Sequence, residues 1–203
     1  MTAGEDSFPL FSQRIIVVGS STGGTEAIKA LLSGMPGHAP PILITQHMPE
    51  SFTQSFVERL DSLCQMRVKQ ADHQERIQAG TVYVAPGHSH MLLERMPGAS
   101  YRILLNQEAP VNRHRPSVEV LFQAAARVLG GKAIGVMLTG MGKDGAAAML
   151  EMHKAGAYNF AQDEASCVVF GMPREAIAIG AVDEIVPLDK IAERILSVLG
   201  AAK

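Results

Sequence analysis

The feature that most restricts the fold is an alternation: short, almost uninterrupted apolar runs such as Arg14 to Val18 (RIIVV), Ile42 to Thr45 and Ala133 to Leu138 (AIGVML) take turns with segments of helical period. Runs that carry no polar face belong in strands covered on both sides. Strands of that kind separated by helices build βαβ units on a mainly parallel sheet. A doubly wound α/β fold with helices on both faces follows. After the first run come Gly-rich SSTGG and a helix from about Thr25 with Ile28, Leu31 and Leu32 on its apolar face. After the second, Phe52, Phe56, Leu60 and Leu63 mark one helical stripe. From Met66 to Leu105 the texture changes to short pieces (MRVKQ, TVYVA, HMLLE, YRILL) punctuated by Gly and Pro, which predicts an antiparallel hairpin or sheet-edge excursion. Pro116 opens the next helix (Val118, Leu121, Phe122, Ala125, Val128, Leu129). A helix over 146–154, strands at 158–161 and 182–186, and a closing helix through Ile191, Ile195 and Leu199 complete the pattern.

At 203 residues and 47% hydrophobic the chain has a core of single-domain size. Residues 1–13 carry no basic run and no apolar stretch, so they read as a leader or linker remnant before a domain over 14–203. No window is apolar for long enough to cross a bilayer. With 18 basic against 20 acidic residues there is no global field to gather nucleic acid or anionic lipid. Cys64 and Cys167 stand far apart with no CxxC spacing and read as reduced, small buried hydrophobes in a cytoplasmic protein.

In a doubly wound sheet the reactive groups gather beyond the carboxyl ends of the parallel strands. Three segments are expected there: Gly19-Ser20-Ser21-Thr22-Gly23-Gly24, Gln46-His47-Met48, and Thr139-Gly140-Met141-Gly142-Lys143-Asp144-Gly145. Gly19 to Gly23 fits G-x-S-x-G between a buried strand and a helix, the setting of a turn that presents a serine nucleophile. Phosphate-loop readings fail, because Thr25 and Glu26 stand where a P-loop needs Lys and Ser/Thr, and Ser21 replaces the second glycine of a dinucleotide loop. His47 is the candidate base, or a histidine satisfied by backbone. Asp144 is either the orienting acid or a helix cap, with Asp163 as its rival. His88 and His90 form an H-x-H pair, but no carboxylate or third histidine stands at matching spacing, so no metal is expected. Arg113-His114-Arg115 reads either as solvated charge or as a rim for an acidic partner.

GSSTGGTEAI, ITQHMPESFTQSFVERLD, PVNRHRPSVEVLF, LTGMGKDGA and AQDEASCVVFGMPREA resemble the catalytic domain of the chemotaxis protein-glutamate methylesterases, the CheB family, in order and over most of the chain. The resemblance implies a serine hydrolase that removes methyl groups from γ-glutamyl methyl esters of chemoreceptors and often deamidates receptor glutamines. It places the nucleophile on Ser21 rather than Ser20, the base on His47, the acid on Asp144 rather than Asp163, and the oxyanion donors on the backbone N–H groups of Thr22 and Met141. Arg113 and Arg115 lie in a matching segment and read as the substrate rim. The implied partners are the cytoplasmic helices of methyl-accepting receptors. Family members typically carry an N-terminal phospho-receiver domain, which thirteen leader residues cannot hold. Two other readings share these residues: a phospho-ligand binding module built on the glycine turn, and an esterase of the same mechanism acting elsewhere.

Overall fold

The computed structural model describes residues 14–201; the leader reading of 1–13 falls outside them. Strands β1 (Ile15–Ser20), β2 (Ile42–Gln46), β3 (Arg67–Gln70), β4 (Thr81–Val84), β7 (Ala133–Met137), β8 (Tyr158–Gln162) and β9 (Glu184–Val186) form one sheet in the order β3-β4-β2-β1-β7-β8-β9. Every pair in it is parallel. The remaining two, β5 (His90–Met96) and β6 (Ser100–Asn106), make a separate antiparallel hairpin.

The period of two in β1 explains the layering. Ile15 and Val17 face one core with α3 (Val118–Val128), α4 (Ala146–Lys154), α5 (Met172–Ala178) and the hairpin. Ile16 and Val18 face the other with α1 (Gly24–Ser33), α2 (Glu50–Leu63) and α6 (Ile191–Ala201). Both faces are dry, so β1 has no polar side to show. Within α1 the buried positions Ala27, Ile28, Leu31 and Leu32 recur at helical spacing. In α3 Val118, Leu121, Phe122 and Ala125 do the same against Met91, Leu93 and Ile103 of the hairpin.

Three expectations need correction, and one helix went unread. MRVKQ and TVYVA are not antiparallel: β3 and β4 take the sheet-edge alternative and extend the parallel sheet, joined without a helix by a loop whose Gln78 N–H donates to the Tyr83 hydroxyl at 3.1 Å. The stripe on α2 is rotated, since Thr53, Val57 and Leu60 are buried while Phe52 and Leu63 are exposed. Pro116 precedes α3 rather than opening it; Ser117 occupies the N-cap and Val118 is the first helical residue. Helix α5 was not anticipated, although Gly171 followed by Pro173 in its first turn is a start signal.

Candidate active site

β1 and β2 run side by side in the register Ser20↔Gln46, so Ser21 and His47 leave the sheet together at its carboxyl edge. Gly23 then adopts a left-handed conformation (φ 81°) and caps α1, which turns the chain sharply behind the serine. The two serines are thereby separated. Ser20 is fully buried and donates to Gln46 Oε1 at 2.6 Å. Ser21 is only partly buried and lines a cavity of about 630 Å³. Gln46 Nε2 also donates to the carbonyls of Ser21 and His47, at 3.0 and 2.9 Å, so one buried amide fastens both strand ends.

His47 Nε2 lies 2.7 Å from Asp144 Oδ2, and both side chains are nearly closed to solvent. The carboxylate takes four further donors: Val118 N–H (2.7 Å) on Oδ2, and Asn112 Nδ2 (2.8 Å), Ser117 Oγ (2.8 Å) and Glu119 N–H (3.3 Å) on Oδ1. Asp144 therefore is a helix cap as well as the partner of His47, but the helix it caps is α3, whose first N–H groups it satisfies across the fold, and not α4, which follows it in sequence. Burial pushes the Asp144 carboxyl up; the bonds from His47, Asn112, Ser117 and Val118 outweigh it and hold the group below the usual carboxylate range. An ionised Asp144 requires a proton on the nitrogen facing it. The free lone pair of a neutral His47 then sits on Nδ1, which is buried without a hydrogen-bond partner. This is the reverse of the chymotrypsin arrangement, where the acid holds Nδ1 and Nε2 is the base.

The third segment is pressed onto the turn that carries Ser21. Ser21 N–H donates to the Thr139 carbonyl at 3.0 Å, and Thr139 Oγ1 donates to the Thr22 carbonyl at 3.0 Å. A Cβ on Gly140 would fall 2.8 Å from Ser21 Cβ and 3.0 Å from Ser21 N, so only glycine fits. Thr22, Met141 and Lys143 line the cavity with Ser21, and the Met141 side chain is 71% exposed beside it.

A family model described as CheB methylesterase matches residues 16–195. The chain belongs to the CheB methylesterase family. It is similar to the protein-glutamate methylesterase/protein-glutamine glutaminase of Nitrosomonas europaea (64% identity over 193 residues, 95% of this chain and 54% of that protein). The similarly named protein 1 of Burkholderia pseudomallei strain 1710b is 59% identical over 194 residues, covering 95% of this chain and 53% of that protein. The chain thus spans about half the length of these curated relatives. Its fold matches the crystal structure of the Thermotoga maritima CheB methylesterase catalytic domain with a TM-score of 0.89 at 38% identity, over 92% of this chain and 99% of that one.

In this CheB-family chain the segment before α3 does more than its charges indicate. Asn112 and Arg113 both have positive φ (52° and 68°), and Val111 and His114 exchange both backbone hydrogen bonds around them, which is the geometry of a type I′ turn. It aims Asn112 at Asp144 and lays the His114 ring on His47. Arg113 lines the serine's cavity. Arg115 instead donates to the carbonyls of Gln107 and Glu108, both at 3.2 Å. Sequence reasoning passed over Asn112, Ser117 and Gln46; the one signal was a polar residue at a helix start or strand end. Asp163 is engaged with Ser166, through the backbone N–H at 3.1 Å and the hydroxyl, and has no contact with His47. His90 is buried, with Nε2 3.1 Å from the Ala109 carbonyl and Nδ1 accepting from Ser117 N–H. Cys64 and Cys167 are free and only partly buried. Among the described residues no group of three or more His, Cys, Asp or Glu is placed to hold a metal, and no helix is long and apolar enough to cross a membrane.

Proposed function

We propose that this chain is the catalytic part of a chemotaxis protein-glutamate methylesterase acting in the cytoplasm on methylated helices of chemoreceptors, with receptor glutamine deamidation as a second reaction at the same site. The observation that carries the reading is the His47–Asp144 pair, held at 2.7 Å where the β1–β2 register delivers Ser21. Curated relatives named for both activities support it. Ser21 Oγ attacks the ester carbonyl while His47 Nδ1 takes its proton, and Asp144 stabilises the imidazolium. Backbone N–H groups of Thr22 and Met141 receive the oxyanion. The imidazolium returns the proton to the departing methoxide, and methanol leaves. Water then attacks the glutamyl ester of Ser21, with His47 again the base, and releases the glutamate and the free serine. No step calls for a metal or an organic cofactor.

The test is methanol release from receptor membranes carrying labelled methyl esters, together with labelling by a fluorophosphonate. The expected result is release that stops in step with covalent labelling of Ser21. A binding module would neither release methanol nor take the label, and an esterase for other substrates would take the label while leaving the receptors methylated.

The rim is tested separately. Arg113 is exposed at the cavity while Arg115 is tied to its own loop, so the two have different expected effects. Arg113→Ala should slow receptor demethylation several-fold at low salt and leave a small neutral ester nearly untouched, since rim charges act on encounter rates. Arg115→Ala should slow both substrates together. A receptor rate indifferent to both salt and Arg113 would remove the steering idea.

A further inference from the structure

The imidazole of His114 lies over that of His47 with ring centroids 3.6 Å apart and planes inclined by only 8°. A single hydrogen bond fixes one atom of a ring; it leaves the plane free to swing about a soft χ2 torsion. For His47 that freedom matters, because its base nitrogen, Nδ1, has no hydrogen-bond partner to steady it. The stacked ring supplies the missing restraint. We propose that His114 is a positioning residue of the esterase reaction, clamping the plane of His47 so that Nδ1 keeps a fixed aim while Asp144 holds Nε2. The inference rests on the triad reading above and extends it to a residue outside the triad.

Three observations converge on this role. First, His114 is delivered by a turn that ordinary residues rarely adopt, with Asn112 and Arg113 both left-handed, and backbone strain of that kind survives where the surrounding contacts over-determine it. Second, the same turn places Asn112 on Asp144, so one short segment addresses both partners of the hydrogen bond. Third, His114 lines the serine's cavity, where Arg113 and Lys143 are also found, and a second hollow of about 320 Å³ with His47, Arg113 and Arg115, so it borders the same space as the base and the cations of the rim. Burial, then the positive charge that His47 can carry, pushes the His114 pKa down, against the opposing pull of Asp144. An uncharged ring in this position presents a π-face to the imidazolium that forms on His47 during proton transfer, a favourable contact that a second cation would destroy.

The experiment compares His114→Ala, His114→Asn and His114→Phe with the parent chain. Steady-state methanol release from methyl-labelled receptor membranes gives kcat and KM, and ¹⁵N NMR of the His47 ring gives the state of its two nitrogens without relying on turnover. Losing the ring should lower kcat roughly tenfold, the scale of a desolvated cation–π contact together with a loosened base, at nearly constant KM. In the Ala and Asn variants the Nδ1 and Nε2 shifts of His47 should move toward each other as the ring loses its fixed orientation. The Phe variant, flat but unable to titrate or hydrogen-bond, should recover most of kcat and the well-separated shifts. If the Ala and Asn variants keep parental kcat and parental shifts, or if Phe is as impaired as Ala, His114 does not act through the plane of His47. Should the parent chain release no methanol, the esterase reading falls, while the NMR comparison still decides whether His114 fixes the ring.

Discussion

Replacing Ser21 by alanine should abolish all but a trace of turnover, a fall on the order of 10⁶ in kcat, leaving what binding and oxyanion donors alone provide. Ser21 is partly exposed in the cavity and fixed by its neighbours: its N–H bonds to the Thr139 carbonyl and its own carbonyl accepts from Gln46. The control is the adjacent hydroxyl. Ser20→Ala leaves the buried Gln46 Oε1 without its 2.6 Å donor, a cost of about 1–3 kcal/mol in stability and not a chemical step. Methanol release measured beside thermal unfolding separates the two: Ser21→Ala silent and folded, Ser20→Ala active and less stable. Equal activities, or the reverse order, would unseat Ser21 as nucleophile.

Asp144→Asn is expected to lower kcat by roughly 10⁴, because an amide in place of the carboxylate permits the wrong imidazole tautomer. Here the substitution has a second effect. Whichever way the amide turns, its NH₂ group faces donors: His47 and the Val118 N–H on one side, or Asn112, Ser117 and the Glu119 N–H on the other. The variant should therefore also lose stability, and the loss should depend on pH. With its folded-state pKa held below the unfolded value, Asp144 binds its proton later in the folded chain than in the unfolded one as pH falls. Its stabilising contribution is complete above the unfolded value of about 3.9 and fades as pH drops through the folded one. The gap in unfolding free energy between parent and variant should be widest near neutrality and close in acid. Asp163→Asn, remote from His47, should change kcat far less. In a Ser21→Ala background Asp144→Asn should subtract almost nothing further from the rate; additive losses would mean that Asp144 serves α3 alone.

Much of this site could be read in advance, and the reasons are local. Ser21, His47 and the 139–145 loop each follow an apolar run, and a parallel sheet sends the ends of such runs to one edge whatever lies between them. The G-x-S-x-G spacing favours Ser21 over Ser20 and loop position leans toward Asp144 over Asp163, but the choice rests on the family resemblance, since spacing along the chain does not record which side chain turns inward. What remained hidden depends on contacts between distant segments. Nothing near Asp144 in sequence reveals that it caps a helix beginning at Val118, and nothing near His114 reveals that it rests on His47. The exposed face of α2 was misjudged for a related reason: Phe52 stands exposed at a groove with Met48 and Pro49, while Phe56 lines the same groove and still packs against the core, and an aromatic residue at helical spacing looks the same in either place.

The fastening of Asp144 to α3 is reciprocal, because the Glu119 N–H donates to Asp144 while the Glu119 carboxylate accepts from the Gly145 N–H at 3.0 Å. Asp144, the proposed acid of the triad, and the first turn of a core helix are therefore one mechanical unit. A local opening that frees the acid also frays the helix under the hairpin, and any fraying of that helix lets the acid go. Inactivation and the first loss of structure would then be a single event in this molecule, with no intermediate that is folded around α3 yet missing its acid, and a substitution chosen to loosen the site for a new substrate would be felt at once in the core.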